Sequence, residues 1–97
     1  MHNRYPLETQ EEINQPQLIC LWKDVSHDLR TQLGDSTFDL WFGEFQLVSV
    51  SPHEVVMLAP GTMYAIWVEE NFKTTLISAF QKYLTACERV RFEVAVS

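Results

Sequence analysis

Three histidines, two cysteines and one adjacent pair of glutamates are the side chains of this 97-residue chain best suited to catalysis or metal binding. Their spacing does not support either role. His2 lies in a polar N-terminal segment, His27 on the polar side of an amphipathic run and His53 in a turn-forming tetrapeptide, and none has a partner at metal-ligand spacing. Glu69 and Glu70 are neighbours on a helical pattern. Adjacent helical positions diverge by about 100°, so the two carboxylates cannot flank one scissile bond and are expected on a solvated face. Cys20 and Cys87 lack the C-x-x-C spacing of a zinc or redox site and are expected to be packing or edge residues. Gly34, Gly43 and Gly61 are scattered and form no phosphate-cradling loop. The expectation is a protein with no catalytic residue, no metal and no cofactor: not an enzyme.

Length and charge restrict the remaining functions. Ninety-seven residues make one small domain, and 46% hydrophobic residues with six Phe, three Trp and three Tyr can fill one core. Seven basic against 13 acidic residues give a net charge of −6, the reverse of what a phosphate-gripping domain needs. Neither a secretory h-region nor a run of about 20 apolar residues is present, so a soluble, cytoplasmic chain with no membrane partner is expected.

The elements that must position any site follow from the apolar spacing. Residues 1–17, with Pro6, Pro16 and three Glu, are expected to be a flexible N-terminal tail or a short partial helix outside the core, and residues 18–97 the folded domain. Leu18, Leu21, Trp22, Val25, Leu29 and Leu33 recur at helical steps and form one apolar stripe. Gly34 ends that helix as an αL residue, and Ser36 with Asp39 looks like a capping box for a second one carrying Phe38, Trp41, Phe42 and Phe45. Gln46–Val50 and Val55–Ala59 are β-branched runs around Ser51-Pro52-His53-Glu54, which fits an antiparallel hairpin. Pro60-Gly61-Thr62 opens a helix to about Thr85, with its apolar positions at Met63, Ile66, Trp67, Ile77, Phe80 and Leu84. Val90, Phe92, Val94 and Val96 alternate as a last strand. The fold class is α+β, in the order ααββαβ, with a three-stranded sheet and helices packed on one face.

Tryptophan is the unusual component. Trp41 and Trp67 are expected in the core near Phe38 and Phe80, whereas Trp22, toward one end of its helix, fits either a core or a contact role.

Leu21-Trp22, Ser36-Thr37-Phe38-Asp39-Leu40-Trp41, Leu58-Ala59-Pro60, Trp67-Val68 and Val90-Arg91-Phe92-Glu93-Val94, in that order, resemble the amino-terminal domain (domain I) of the bacterial replication initiator DnaA. The resemblance covers about Leu18 to Val96 and implies a compact, K-homology-like fold. It implies an adaptor that mediates initiator self-association as a weak homodimer, recruits the replicative helicase and receives initiation regulators. Carried onto this sequence, self-association would involve Leu21, Trp22 and Asp24, which moves Trp22 toward the contact role. Helicase and regulator binding would involve Thr37, Gly61 and Met63. Here the chain departs from the usual pattern, which has Asn after the Ala-Pro and Phe two residues further on, and in some members an acid where Thr37 stands. No G-x-x-x-x-G-K-[ST] loop exists for an ATPase part, so the resemblance implies either an excised domain of a longer initiator, the favoured reading, or a free-standing relative.

The alternative from another class is a K-homology-like domain binding single-stranded nucleic acid weakly. Lys82, Arg89 and Arg91 would supply its contacts, but the charge and the missing G-x-x-G loop oppose it. A small hydrolase comes third, without a nucleophile–base pair.

Overall fold

A computed structural model of the chain describes residues 15–94. Its elements are α1 (Gln15–Leu33), α2 (Asp35–Phe42), β1 (Gln46–Val50), β2 (Glu54–Ala59), α3 (Thr62–Gln81) and β3 (Arg89–Val94). This is the expected ααββαβ order. The boundary expected at residue 18 moves, because Gln15, Pro16 and Gln17 already belong to α1. Proline is accepted in a first turn, where its missing N–H would have had no intrahelical partner. The rest of the expected tail, residues 1–14, lies outside the described residues.

The α1 stripe is as the spacing requires: Leu18, Leu21, Val25 and Leu29 are buried, with Trp22 and Leu33 packed beside them. One residue joins α1 to α2. Gly34 donates its N–H to the Arg30 carbonyl at 2.8 Å and accepts from Phe38 N–H at 3.1 Å, closing one helix and opening the next. Its φ of 89° and ψ of 155° are glycine territory but not the expected αL conformation. The expected capping box is likewise absent. The helix starts at Asp35 with Gly34 as its N-cap and no side-chain cap, which puts Ser36 inside the first turn. The Asp39 carboxylate instead accepts from Arg30 at 2.7 Å, and the same guanidinium reaches Asp35 at 3.2 Å and lies 4.3 Å above the Phe38 ring.

The sheet runs β1-β2-β3, antiparallel between β1 and β2 and parallel between β2 and β3, with α3 as the crossover that a parallel pair needs. The β1–β2 register slips between Leu47 and Ser49, a bulge at Val48. Strand registers place Leu47, Met57 and Phe92 in one row, and Val50, Val55 and Val90 in another, on the face that meets the helices. β2 is central and therefore nearly continuous in apolar residues. The opposite face carries Glu54, Arg89, Arg91 and Glu93, with Glu54 within 3.6 Å of Arg89 and 4.0 Å of Arg91.

In α3 the expected apolar stripe is corrected. Val68, Leu76, Ala79 and Phe80 are buried, Ala65, Phe72 and Ile77 pack partly beside them, and Met63, Ile66 and Trp67 are exposed. Six consecutive apolar residues, Met63–Val68, wrap more than one turn, so they cannot all face the sheet. Phe72 and Leu76, at successive steps of four from Val68, decide which side does. The helix ends at Gln81 and not near Thr85, and two turns carry the buried Leu84 and Cys87 toward β3.

A candidate protein-docking surface

The aromatic core is a chain of rings: Trp22 beside Phe38 (6.2 Å), Phe38 on Phe42 (5.7 Å), Phe42 against Phe45 (5.7 Å) and Phe72 (5.4 Å), and Phe45 edge-on to Phe92 (5.9 Å). Trp22 also stacks on Phe80 at 6.3 Å. Trp41 and Trp67 form a separate ring pair, with Trp41 packed on the edge of the core. They stack on each other at 4.9 Å with 18° between the rings, and Tyr64 meets Trp41 edge-on at 5.9 Å. Trp67 is 44% exposed, so its expected place in the core is overturned, whereas Trp41 is half-buried and packs against the core. The partners are right in pair, and Trp67 is wrong in depth; Trp22 holds the position beside Phe38 and Phe80.

This stack borders an apolar surface. Met63, Ile66 and Trp67 are exposed on one side of α3, Tyr64 is exposed beside Trp41, and Leu40 is exposed on α2. Thr37 lies one turn before Trp41 on α2. Met63 lies one turn before Trp67 on α3, and Gly61 is the N-cap of that helix. The residues named for helicase and regulator binding thus flank one surface from both helices. Gly61 has extended backbone, and a Cβ there would meet the Tyr64 ring at 3.7 Å, an ordinary contact. Met63 is 80% exposed.

Leu21, Trp22 and Asp24 do not share a face. Leu21 is fully buried, so it supports α1 from beneath and offers no surface. Trp22 and Asp24 point about 200° apart around the helix. The surface beside Trp22 is a shallow groove between α1 and β1, lined by Leu18, Ile19, Trp22, Gln46 and Leu47, in which Ile19 is the exposed apolar side chain. Sequence reasoning missed Ile19 because it lies off the α1 stripe. It misplaced Trp67 and Ile66, for which the unbroken Met63–Val68 run was the available signal.

The positive cluster is dispersed and neutralised. Lys82 approaches Asp28 of α1 at 3.9 Å, Arg89 pairs with Glu54, and Arg91 lies between Glu54 and Glu93. No group of three or more His, Cys, Asp or Glu could hold a metal among the described residues. Cys87 is buried, and burial pushes its thiol above the ordinary value. Cys20 is exposed. His53 braces the loop before β3, its Nδ1 3.2 Å from the Ala86 carbonyl and 3.6 Å from Glu88.

The sequence pattern of the DnaA N-terminal domain matches residues 20–82, more than half of the chain. The chain belongs to the DnaA N-terminal domain family. Chromosomal replication initiator proteins DnaA are similar to it in sequence: 27% identical over 75 residues in Methylacidiphilum infernorum, and 24% over 72 in Thermodesulfovibrio yellowstonii and in Rickettsia bellii. These alignments cover 74–77% of this chain and 16% of each relative, so the chain spans about a sixth of their length. The matched segment of this DnaA N-terminal domain runs from within α1 through α3 and contains the Trp41–Trp67 surface and, of the α1–β1 groove, Trp22, Gln46 and Leu47, with Leu18 and Ile19 just before it. None of its described helices is long and apolar enough to cross a membrane.

Proposed function

We propose that this DnaA N-terminal domain is the protein-interaction module of a cytoplasmic replication initiator, with two working surfaces. The α2–α3 surface around Trp41 and Trp67, flanked by Thr37, Gly61 and Met63, receives the replicative helicase and initiation regulators. The α1–β1 groove, with Trp22 and Ile19, carries self-association as a weak homodimer.

The observation that carries this reading is the gathering of exposed apolar side chains on one stacked tryptophan pair. An isolated domain gains nothing in stability by leaving such groups in water, and contiguous apolar patches on soluble domains mark contact sites. The direct test is co-precipitation of the replicative helicase by the chain and by its Trp67→Ala variant, with circular dichroism of both. Capture by the parent and loss in a folded variant is the expected result. Equal capture by both would remove the surface from the reading. Single-stranded DNA binding is at most weak here, because Lys82, Arg89 and Arg91 are each met by carboxylates.

A further inference from the structure

The partner that fits the Trp41–Trp67 surface has a definite charge. From Thr31 to Phe72 the chain contains six acidic residues and no Lys or Arg, and every residue of the surface lies within that stretch. Asp35 and Asp39 are occupied by Arg30, and Glu54 by Arg89 and Arg91 on the far face of the sheet. Glu44, Glu69 and Glu70 remain exposed. Glu70 follows Met63, Ile66 and Trp67 at the next helical step on the same side of α3, and Glu44 stands in the turn just after α2. Glu70 therefore borders the apolar surface on α3, within a stretch that holds no Lys or Arg, with Lys73 one turn beyond.

We propose that this surface selects a cationic amphipathic segment of a partner protein, with apolar side chains set against Met63, Ile66 and Trp67 and Lys or Arg set against Glu70. The proposal rests on the α2–α3 docking role above and adds the partner's chemistry. Charge separates the occupants. A second copy brings the same acidic stretch and a net charge of −6. The chain's own residues 1–14 carry Glu8, Glu11 and Glu12 against Arg4 alone. Nucleic acid and anionic lipid are repelled in the same way. A cationic segment is attracted, and the outer face of the Trp67 ring offers a guanidinium or ammonium a cation–π seat.

The test uses two synthetic amphipathic peptides of identical apolar pattern, one of Leu and Lys and the other of Leu and Glu, titrated into the full chain. Tryptophan emission and backbone amide NMR shifts are read at low salt and at about 0.5 M salt. The Leu/Lys peptide is expected to bind and to shift residues of α2 and the first half of α3, about tenfold more weakly at high salt, and the Leu/Glu peptide not to bind. Glu70→Lys is expected to weaken binding about tenfold, and Glu88→Lys, an equal change of net charge at the loop before β3, to leave it nearly unchanged. Equal binding of the two peptides, equal loss in both variants or shifts confined to another face would overturn the proposal. Helicase capture that depends on Trp67 but ignores salt and Glu70→Lys would sink the charge selection and leave the docking role standing. Loss of both results would remove both.

Discussion

Trp41 and Trp67 face each other at 4.9 Å, nearly parallel, on two helices that also bring Phe42 and Phe72 together in the core. One ring pair belongs to the fold and the other to its surface. The two pairs should therefore respond differently to truncation.

Phe42 is fully buried and touches three other rings. Phe42→Ala should cost about 3–5 kcal/mol, a large share of a small domain's stability. Trp67→Ala loses one stacking partner and some half-exposed area, about 1 kcal/mol. Urea unfolding of the two variants checks the order. A Trp67→Ala loss as large as that of Phe42→Ala would place Trp67 in the core after all.

Trp22→Ala is a poor probe of self-association, since Trp22 packs beside Phe38 and stacks on Phe80, and its removal should cost about 3 kcal/mol of folding stability. Ile19, 66% exposed at the mouth of the same groove, separates the two effects. Ile19→Ala should leave the melting temperature nearly unchanged and weaken dimerisation in sedimentation experiments. The parent's dimer should tighten with salt, as screening reduces repulsion between chains of charge −6. Unaltered dimerisation in the variant would move the contact elsewhere.

Gly34 occupies a backbone region nearly closed to other residues, at φ 89° and ψ 155°. Gly34→Ala should cost about 1–3 kcal/mol although nothing lies within 4 Å of the added Cβ. Gly61 is its counterexample. Its backbone is extended, and Gly61→Asn should fold as well as the parent, or gain a few tenths of a kcal/mol by supplying the missing N-cap acceptor. Thermal melts of both variants test the contrast.

Burial raises the Cys87 thiol above its ordinary value of 9.0, so the folded state holds its proton where the unfolded chain has released it. The associated stability is complete below that value and falls as pH rises from it toward the folded-state value. Cys87→Ala should flatten this part of the stability–pH curve. At neutral pH a thiol reagent should label exposed Cys20 quickly and Cys87 only as the protein unfolds.

Element order and the α1 stripe were legible because Leu18, Leu21, Val25 and Leu29 all obey one period and one face. The parallel pairing of β2 with β3 was not inferred; alternation in Val90–Val94 shows that a strand is half-buried but not which neighbour it joins. The candidate surface was half legible. Thr37, Gly61 and Met63 come from resemblance to a family, whereas Trp67 lies in a run that is apolar all round, which helical spacing alone cannot orient. The capping box failed for a local reason. A one-residue link at Gly34 starts α2 early, and Arg30 takes the carboxylate that would have closed the cap.

The bulge at Val48 bears on what this domain avoids. β1 and β3 are the open margins of the sheet, and an open margin invites a strand from another molecule, the first step toward an aggregate. At Val48 the irregular pairing twists β1 away from the flat geometry such a strand needs. β3 alternates Arg89, Arg91 and Glu93 along its length, so an incoming strand must desolvate charge at every second residue. Fibre-like growth is thereby resisted at both margins, even where many copies are crowded together.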